Sequence, residues 1–413
     1  MVKGDIIVGL DIGTTKICTV IGEMSADGIH RFDVLGVGLS PSSGLRRGVV
    51  VDIDSTVKAI EDSVQKAQRM AGADVRSVIV GVTGEHIASL NSRGVIAITH
   101  ADREVTQEDL DRVLENSRVI VLPPDREIIH SIPRSYAIDG QNGIRSPVGM
   151  SGTRLEVEIH IVTGATTTFL QNVAKCVQRA GLQVEDTVLE PIATGEAVLM
   201  DAEKSMGVVL VDIGGGTSDL AIFVGGEICY TAVLPVGGNY VTSDLSAGLR
   251  ATAEEAERVK LAHGCALIEQ MPDGETFTFS RLGTDEPTVL PTHIIAEIIE
   301  PRMTELFDMV RQEINRSGYI NLLPAGMVLS GGGALLRGSR DLGTKLTGLP
   351  CRIGSPSGVG GLSELVADPS FATAVGLVQF GVKAQSEIPR RDNTGSLFAS
   401  LTSFLRRVFN IGG

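Results

Sequence analysis

Residues 208–219 read Val208-Val-Leu-Val-Asp212-Ile-Gly-Gly-Gly-Thr-Ser-Asp219. The four apolar residues at the start predict a strand that is covered on both faces, as in the sheets of α/β proteins. The glycines at 214–216 would let backbone N–H groups approach an anion, and the hydroxyls of Thr217 and Ser218 would add donors. Asp212, at the carboxyl end of the strand, would hold a hydrated cation against a phosphate. The same residues also fit a glycine-rich hairpin with a solvated aspartate, and this stretch alone favours neither interpretation.

A similar stretch lies near the amino terminus, where residues 6–16 read Ile6-Ile-Val-Gly-Leu-Asp11-Ile-Gly-Thr-Thr-Lys16. It repeats the apolar strand and the Asp-Ile-Gly, and hydroxyl residues follow. Asp11 and Asp212 are 201 positions apart (212 − 11 = 201). Self-similarity at so long a distance predicts two similar lobes. We therefore expect two strand–loop units that face each other across a cleft and grip one polyphosphate.

The composition describes a folded, acidic protein. The 413 residues are 43% hydrophobic and carry a net charge of −14, so we expect a multidomain globule with no nucleic-acid partner. The five cysteines, at 18, 176, 229, 265 and 351, form no Cys-x-x-Cys pair and are expected to be reduced thiols of a cytosolic protein. The amino terminus has no secretory signal pattern, and no apolar run approaches the roughly 20 residues that span a bilayer.

The order of predicted elements divides the chain into lobes and an insertion. Strands at 31–38, 45–52 and 75–82 and a helix capped by Ser55 and ended by Gly72 form one α/β unit. The sequence pattern changes after this unit. A polar helix starts at Thr106, four prolines follow, and apolar and polar residues alternate at 154–162 as in a strand. The predicted boundaries are 1–83 for the first lobe core, continued at 165–206 and about 362–382; 84–164 for a small inserted α+β domain; 207–236 and 325–361 for the second lobe core; and 237–324 for its small subdomain.

The carboxyl-terminal segment has a different character. Residues 383–394 lack periodicity and are interpreted as a linker, and residues 395–413 as an amphipathic helix. Its apolar stripe and the flanking arginines are Leu397, Phe398, Leu401, Phe404, Leu405, Val408 and Phe409, with Arg406 and Arg407. Such a stripe also fits a helix docked on its own core. The linker, the phenylalanines and the local charge of +3 (5 − 2) favour a helix that lies in the membrane headgroup region without spanning it.

Three strand-then-glycine motifs in this order resemble the two phosphate motifs and the adenosine motif of the actin, sugar-kinase and heat-shock chaperone ATPase superfamily. They are Gly9-Leu-Asp-Ile-Gly-Thr-Thr-Lys16, Asp212-Ile-Gly-Gly-Gly-Thr-Ser218 and Ser330-Gly-Gly-Gly333. The superfamily's two linking helices correspond to residues 189–197 and 372–377. The resemblance implies an actin-like, two-lobed ATPase fold that binds ATP and Mg²⁺.

The resemblance also assigns roles to residues of this chain. Phosphate binding falls to Gly13, Thr14, Thr15 and Lys16 on one side and to Gly214, Gly215, Gly216, Thr217 and Ser218 on the other. Asp11 and Asp212 would orient Mg²⁺ through water, and Glu190 would position the attacking water. The nucleoside would contact Gly331, Gly332 and Gly333 together with Glu257 and Lys260. From spacing alone, Glu257 and Lys260 are better interpreted as a solvated ion pair worth about 0.2–0.5 kcal/mol, and only the resemblance favours the nucleoside contact.

Within the superfamily the chain is most similar to the FtsA family of bacterial cell-division proteins. The similarity covers nearly the whole chain, including the insertion, the stretch at 256–266, the helix at 297–306 and the terminal amphipathic helix. It implies a peripheral protein of the cytoplasmic face of the inner membrane at the division site, which polymerises into filaments and tethers FtsZ. FtsZ would bind the subdomain at about 237–323, and the inserted domain would contribute to filament contacts and recruit later division proteins.

Three other functions share this fold. A small-molecule kinase would show substrate-dependent ADP release, a pilus-assembly relative shares the insertion without this terminal helix, and a chaperone would continue into a peptide-binding domain. The hydrolysis rate stays open, because the residues that bind ATP and those that hydrolyse it are nearly the same set.

Overall fold

The computed structural model describes residues 6–25, 31–165, 169–284 and 286–387. The first lobe contains a six-stranded sheet with strands β1 (Ile6–Ile12), β2 (Lys16–Met24), β3 (Phe32–Pro41), β6 (Ser77–Val82), β11 (Gln183–Leu189) and β19 (Val359–Gly361). Its strand order is β11-β6-β1-β2-β3-β19. β1 and β2 form an antiparallel hairpin, and β6 pairs with β1 in parallel.

The second lobe repeats this plan in a five-stranded sheet. Its strands are β12 (Val208–Ile213), β13 (Ser218–Val224), β14 (Glu227–Leu234), β17 (Met327–Ser330) and β18 (Cys351–Ile353), in the order β14-β13-β12-β17-β18. Five neighbouring strands of the first lobe, β3-β2-β1-β6-β11, match these five strands one for one: each sheet has three antiparallel strands that are consecutive in the chain, followed by two parallel strands. The two similar lobes predicted from the repeated motif are therefore confirmed.

Each glycine loop joins two antiparallel strands, β1 to β2 and β12 to β13. The strands β2 and β13 were not predicted from the sequence. Of the two interpretations given for the second glycine loop, the hairpin is observed. The aspartates are not solvated, however: Asp11 and Asp212 are both buried, as are all six residues of β12. The glycine loop after β12 is thus the turn of a hairpin, and the aspartate that precedes it is buried.

Helices cover the first-lobe sheet and connect the lobes. They are α1 (Ile53–Ala71), α3 (Gln171–Arg179), α4 (Glu190–Val198), α5 (Asp201–Met206) and α10 (Ala372–Glu387). α1 begins earlier than predicted because the side chain of Asp52 accepts the backbone N–H of Ser55 at 3.1 Å and so caps the helix. It ends, as predicted, at Gly72, which adopts the left-handed conformation. Pro191 suits the first turn of a helix, and the sequence predicts one that runs to about residue 200; α4 instead ends at Val198, and α5 begins at Asp201.

The two connecting helices, α4 and α10, pack with their backbones in contact. A Cβ atom at Gly376 of α10 would overlap the carbonyl oxygen of Ala193 of α4. Small residues at such a crossing let two helices approach more closely than their side chains would otherwise allow. Around the crossing, one buried cluster combines residues of both lobes, including Val20 and Leu210. The lobes therefore share a core at the connecting helices.

The inserted domain is an antiparallel four-stranded sheet with one helix on it. Its strands are β7 (Ala88–Ala97), β8 (Arg126–Ile138), β9 (Gln141–Ile144) and β10 (Arg154–Ala165), in the order β7-β10-β8-β9, and its helix is α2 (Gln107–Ser117). Thr106 caps α2, and Asp109 completes a capping box. The helix start predicted at Thr106 is confirmed. The domain has a buried cluster of its own between α2 and the sheet.

The remainder of the second lobe is largely helical. Its helices are α6 (Gly238–Leu249), α7 (Ala253–His263), α8 (His293–Ser317) and α9 (Ser339–Thr347), with a hairpin of β15 (Thr276–Phe279) and β16 (Thr288–Pro291). The polar composition of residues 271–290 predicts an irregular segment, and this prediction is wrong, because Phe277 and Phe279 turn inward and anchor that hairpin. The sequence also predicts a long helix from 292 to about 317 that contains Pro301, and α8 confirms it. The 3₁₀ turns are Ile268–Gln270, Ile320–Leu322, Gly332–Leu335, Ser363–Val366 and Pro369–Phe371.

Two further predictions differ from the structure. Residues 45–52 do not form one strand but a short hairpin of β4 (Leu45–Arg46) and β5 (Val49–Val50), since Arg47 and Gly48 adopt positive φ angles of 52° and 75°. The first residues of the predicted linker, 383–387, continue α10. The rest of the linker and the predicted membrane helix at 395–413 lie outside the described residues.

All five cysteines are free, and four of them are buried. Within the described ranges, no helix has the length and apolar content needed to cross a bilayer.

Candidate functional site

A cleft of about 900 Å³ lies between the lobes, above the carboxyl ends of β1 and β12. Both glycine loops line it, together with the third glycine motif at 331–333, the start of α4 and one face of α7. Of the nucleotide-site residues predicted from the sequence, all but Ser218 are among the lining residues. The Ser218 side chain is fully buried and donates to the Val236 carbonyl at 2.7 Å, so its hydroxyl does not face the cleft.

The two phosphate motifs approach each other so closely that the glycines of the second are needed. A Cβ atom at Gly215 would overlap the side chain of Thr15, and one at Gly216 would lie 2.6 Å from Thr14 Oγ1. The backbone N–H of Gly48, in the β4–β5 turn, donates to the same Thr14 oxygen at 3.2 Å. Backbone amides and hydroxyls of both lobes are therefore brought to one point in the cleft.

Four acidic side chains are buried at the floor of the cleft: Asp11, Glu190, Asp212 and Asp219, each less than 10% exposed. Burial raises the pKa of Asp11 to about 7, while Lys16 lowers it and the charge of Asp212 raises it further. Burial raises the pKa of Asp219 to about 7, and the nearby Asp212 adds to the shift. The pKa of Glu190 lies well above its usual value because of burial and the neighbouring Asp11. Such a cluster favours a bound cation.

Asp212 is oriented by both connecting helices. Thr194 of α4 donates to Asp212 Oδ2 at 2.6 Å, and Thr373 of α10 donates to the same oxygen at 3.1 Å. These bonds lower the pKa of Asp212, although burial has the larger effect and the net shift is upward. The carboxylate is thus fixed at the point where the lobes join, and its position depends on the packing of the two helices.

Asp219 and Thr83 form a link between the lobes that sequence analysis missed. The Thr83 hydroxyl, in the first lobe, donates to Asp219 Oδ1 in the second. The β12–β13 hairpin register places Asp219 directly opposite Asp212. That register was the signal that could have identified Asp219, but it becomes visible only once the glycine loop is recognised as a hairpin turn.

Lys16 lies at one side of the cleft. Its Nζ donates to the Ser370 carbonyl at 2.6 Å and lies 4.6 Å from the centroid of the Phe371 ring. The cation thus faces the cleft from the first phosphate motif. The charge of Lys16 also lowers the pKa of Asp11.

Glu257 and Lys260 form the predicted pair on one face of α7, but the pair faces the cleft. Their side chains are 2.6 Å apart, and Thr242 donates to the Glu257 carboxylate. Lys260 Nζ also donates to Thr242 Oγ1 at 2.9 Å and to the Gly238 carbonyl at 3.2 Å. Gly331 also lines the cleft; it has a φ of 78°, and any Cβ there would overlap Asp212 Oδ1. A side chain at this position would therefore displace the Asp212 carboxylate.

Within the described residues, no three His, Cys, Asp or Glu side chains converge closely enough to chelate a metal ion directly. Two near-buried carboxylates at the cleft, Asp11 and Asp212, still fit a hydrated divalent cation, because such a cation keeps several of its waters.

Comparisons with known proteins follow the same division of the chain. The family model for cell division protein FtsA matches residues 209–376, and the model for the SHS2 domain inserted in FtsA matches residues 84–163. The cell division protein FtsA of Pseudomonas aeruginosa is 44% identical over 398 residues, which cover 96% of this chain and 94% of the relative. The chain belongs to the FtsA family. The FtsA proteins of Neisseria meningitidis and Escherichia coli K12 are 41% and 36% identical, over 97% and 98% of this chain and 98% of each relative.

Solved structures support the fold. The PilM–PilN type IV pilus biogenesis complex matches with a TM-score of 0.66 at 20% identity, covering 91% of this chain and 98% of that chain. MreB5 of Spiroplasma citri bound to ADP matches with a TM-score of 0.56 at 15% identity, covering 94% and 100%. These likenesses concern the fold alone and confirm the actin-like architecture, whereas the match at residues 84–163 confirms the inserted domain. Membership of the FtsA family separates the chain from the pilus-assembly and kinase alternatives.

Proposed function

We propose that this FtsA-family protein binds MgATP in the cleft, polymerises on the cytoplasmic face of the bacterial inner membrane at the division site, and tethers FtsZ filaments there. The observation that carries the nucleotide part is the convergence of two glycine loops and four buried acidic side chains between the lobes. The related fold of MreB5 bound to ADP and to AMPPNP supports the same ligand class.

In this proposal the chain's own groups position a triphosphate. Gly13, Thr14, Thr15 and Lys16 contact the phosphates from one lobe, and Gly214 to Thr217 from the other. The third motif and the Glu257–Lys260 pair hold the nucleoside. Phosphoryl transfer depends mainly on positioning and charge stabilisation, so these residues suffice for slow hydrolysis when Glu190 orients a water.

Asp11 and Asp212 would hold Mg²⁺ through its water shell. When bound, the ion supplies positive charge between the phosphates and the buried carboxylates. Asp212 is already oriented for this role by Thr194 and Thr373. Asp11 is held at the end of β1, opposite Cys18 in the hairpin register, so its backbone position is set by the sheet.

The remaining parts of the proposal follow from family membership and from the sequence of the tail. The subdomain at 237–324 would contact FtsZ, and the inserted domain would contact later division proteins and neighbouring subunits. Residues 395–413 would bind lipid through the apolar stripe. A single helix of this kind binds reversibly, and assembly into filaments would strengthen attachment because many helices bind together.

Liposome pelleting with purified FtsZ tests the tether. Deleting residues 395–413 should move the protein to the soluble fraction and release FtsZ with it, while MgATP binding persists. Phe404→Glu places a charge on the apolar stripe and should act like the deletion, whereas Ser403→Glu, off the stripe, should still pellet. Pelleting of the deletion variant would refute the membrane anchor, and loss of FtsZ binding without liposomes would point to a folding defect.

A further inference from the structure

The inserted domain contacts both lobes behind the cleft. Toward the second lobe, Ser89 Oγ donates to the Thr231 carbonyl at 2.8 Å, and His160 Nε2 lies 3.1 Å from Thr231 Oγ1. Toward the first lobe, the backbone N–H of Leu189 donates to His130 Nε2 at 2.9 Å. The contact with the first lobe is made at Leu189, the residue directly before Glu190.

His130 satisfies a backbone group that the secondary structure leaves without a helical partner. Leu189 ends β11 and is the N-cap of α4, and its side chain makes no capping hydrogen bond. The N–H of an N-cap residue has no partner inside its helix. Leu189 is fully buried and His130 nearly so, so loss of the imidazole acceptor would leave this N–H buried and unpaired.

The hydrogen bond also defines the state of the ring. Because Nε2 accepts, the proton of the neutral ring is on Nδ1. Burial lowers the pKa of His130 to about 4, so the ring stays neutral and keeps its acceptor at physiological pH. Protonation of the ring therefore does not break the contact at physiological pH, and the contact depends on the packing of the inserted domain against the first lobe.

A second histidine of the inserted domain approaches Glu190 from another side. His86 stacks on Phe169 with ring centroids 4.1 Å apart, and neither of its ring nitrogens has a hydrogen-bond partner among the described residues. His86 and Glu190 line one small cavity of about 10 Å³, close to the volume occupied by a single water probe. The inserted domain thus contacts the backbone of Leu189, the residue before Glu190, and shares a small cavity with Glu190 itself.

We propose that His130 is a positioning residue for Glu190. Through this residue, the packing of the inserted domain against the first lobe controls hydrolysis in the cleft. The inference rests on the proposed nucleotide function. The imidazole fixes the N–H of Leu189, and with it the direction in which α4 begins and Glu190 enters the cleft. A partner that shifts the inserted domain would move this hydrogen bond and so change the alignment of Glu190.

Two substitutions at one position separate hydrogen bonding from packing. Gln can present its amide oxygen near the place of Nε2, so His130→Gln keeps the acceptor, whereas His130→Met fills similar space without a good one. His160→Met is the matched control, since His160 is also buried in this sheet but bonds to Asn91 and Thr231, away from the cleft. In the full-length chain, MgATP affinity is measured by calorimetry and hydrolysis by single-turnover product formation.

The expected result is a split between binding and chemistry. His130→Met should lower the single-turnover rate about tenfold or more while the MgATP Kd changes less than about threefold, because a small misplacement of a positioning group acts on the chemical step. His130→Gln and His160→Met should keep rates close to that of the unsubstituted protein.

Any other result contradicts either the positioning role of His130 or the proposed nucleotide function. An unchanged rate in His130→Met, or equal losses in the Met and Gln variants, overturns the positioning role. A parallel loss in His160→Met shows a general structural effect and also overturns it. If the unsubstituted protein binds MgATP without hydrolysing it, the inference fails and the binding function stands. If it does not bind MgATP, both fail.

Discussion

At the residue scale, the cleft contains buried carboxylates whose charged forms destabilise the folded protein when no cation is bound. Asp11, Glu190 and Asp219 all have raised pKa values because burial disfavours their charged forms. Functional sites commonly concentrate such groups, because the bound ligand supplies the compensating charge. The stability of the ligand-free protein should therefore depend on pH in a defined direction.

Replacing Asp11 with Asn should stabilise the ligand-free protein. The pKa of Asp11 is about 7 in the folded chain against a usual 3.8, so the folded state binds the proton more tightly and stability falls as pH rises from about 4 to 7. At pH 8 the variant should melt about 2–5 °C higher than the parent, and the gain should shrink as the pH falls below 7. Differential scanning fluorimetry across this range measures it.

The control for this prediction is Asp54→Asn, which removes a carboxylate that is 73% exposed on α1. It should shift the melting temperature little at any pH in the range. A lower melting temperature of Asp11→Asn than of the parent at pH 8 would show that the buried charge is already compensated in the ligand-free protein.

At the element scale, the crossing of α4 and α10 sets the relation between the lobes. Gly376→Ala adds a methyl group where the Ala193 carbonyl stands, and neither backbone can give way without moving a lobe. We expect a destabilisation of about 1–3 kcal/mol and weaker MgATP binding, because Thr194 and Thr373 on these helices would no longer reach Asp212 together. Chemical denaturation and calorimetry report the two effects.

A matched glycine tests whether crowding alone explains the result. In α6, a Cβ at Gly248 would meet the Cδ1 atom of Ile298, the flexible end of a side chain, at 2.7 Å. Gly248→Ala should be close to neutral, since an alanine also favours the helix. Equal losses in both variants would remove the special role of the α4–α10 crossing.

Elements whose evidence is local were predictable from the sequence, whereas those set by long-range register were not. The strand at 208–213, the capping of α2 and the third glycine motif each follow from neighbouring residues. The β2 and β13 strands were missed because a glycine loop looks the same whether a strand or a helix follows it. Asp219 acquires its role only from pairing opposite Asp212, and His130 only from the seat of the inserted domain beside Leu189.

Ser218 was assigned to the phosphate set because its hydroxyl follows the glycines directly. The first residue of β13 instead turns its side chain into the core, where the Val236 carbonyl accepts its proton. Alternation along a strand decides this direction, so the error follows from the missed strand.

At the scale of the whole molecule, two lobes with the same strand order enclose one cleft, and an inserted domain attaches to both of them. In the proposed function, this arrangement would couple the bound nucleotide to the relative position of the lobes and to the surfaces that contact partners. The proposed function depends on a magnesium nucleotide site in the cleft between the lobes, with Asp212 at its centre.

Calorimetric titration of MgATP into the unsubstituted chain, Asp212→Ala and Asp308→Ala tests that claim most directly. Asp308 is half-buried on α8, pairs with Arg311 and does not line the cleft. The account predicts saturable binding for the unsubstituted chain and Asp308→Ala and none for Asp212→Ala, with binding lost when EDTA removes magnesium. Equal affinity of all three chains for MgATP would contradict it.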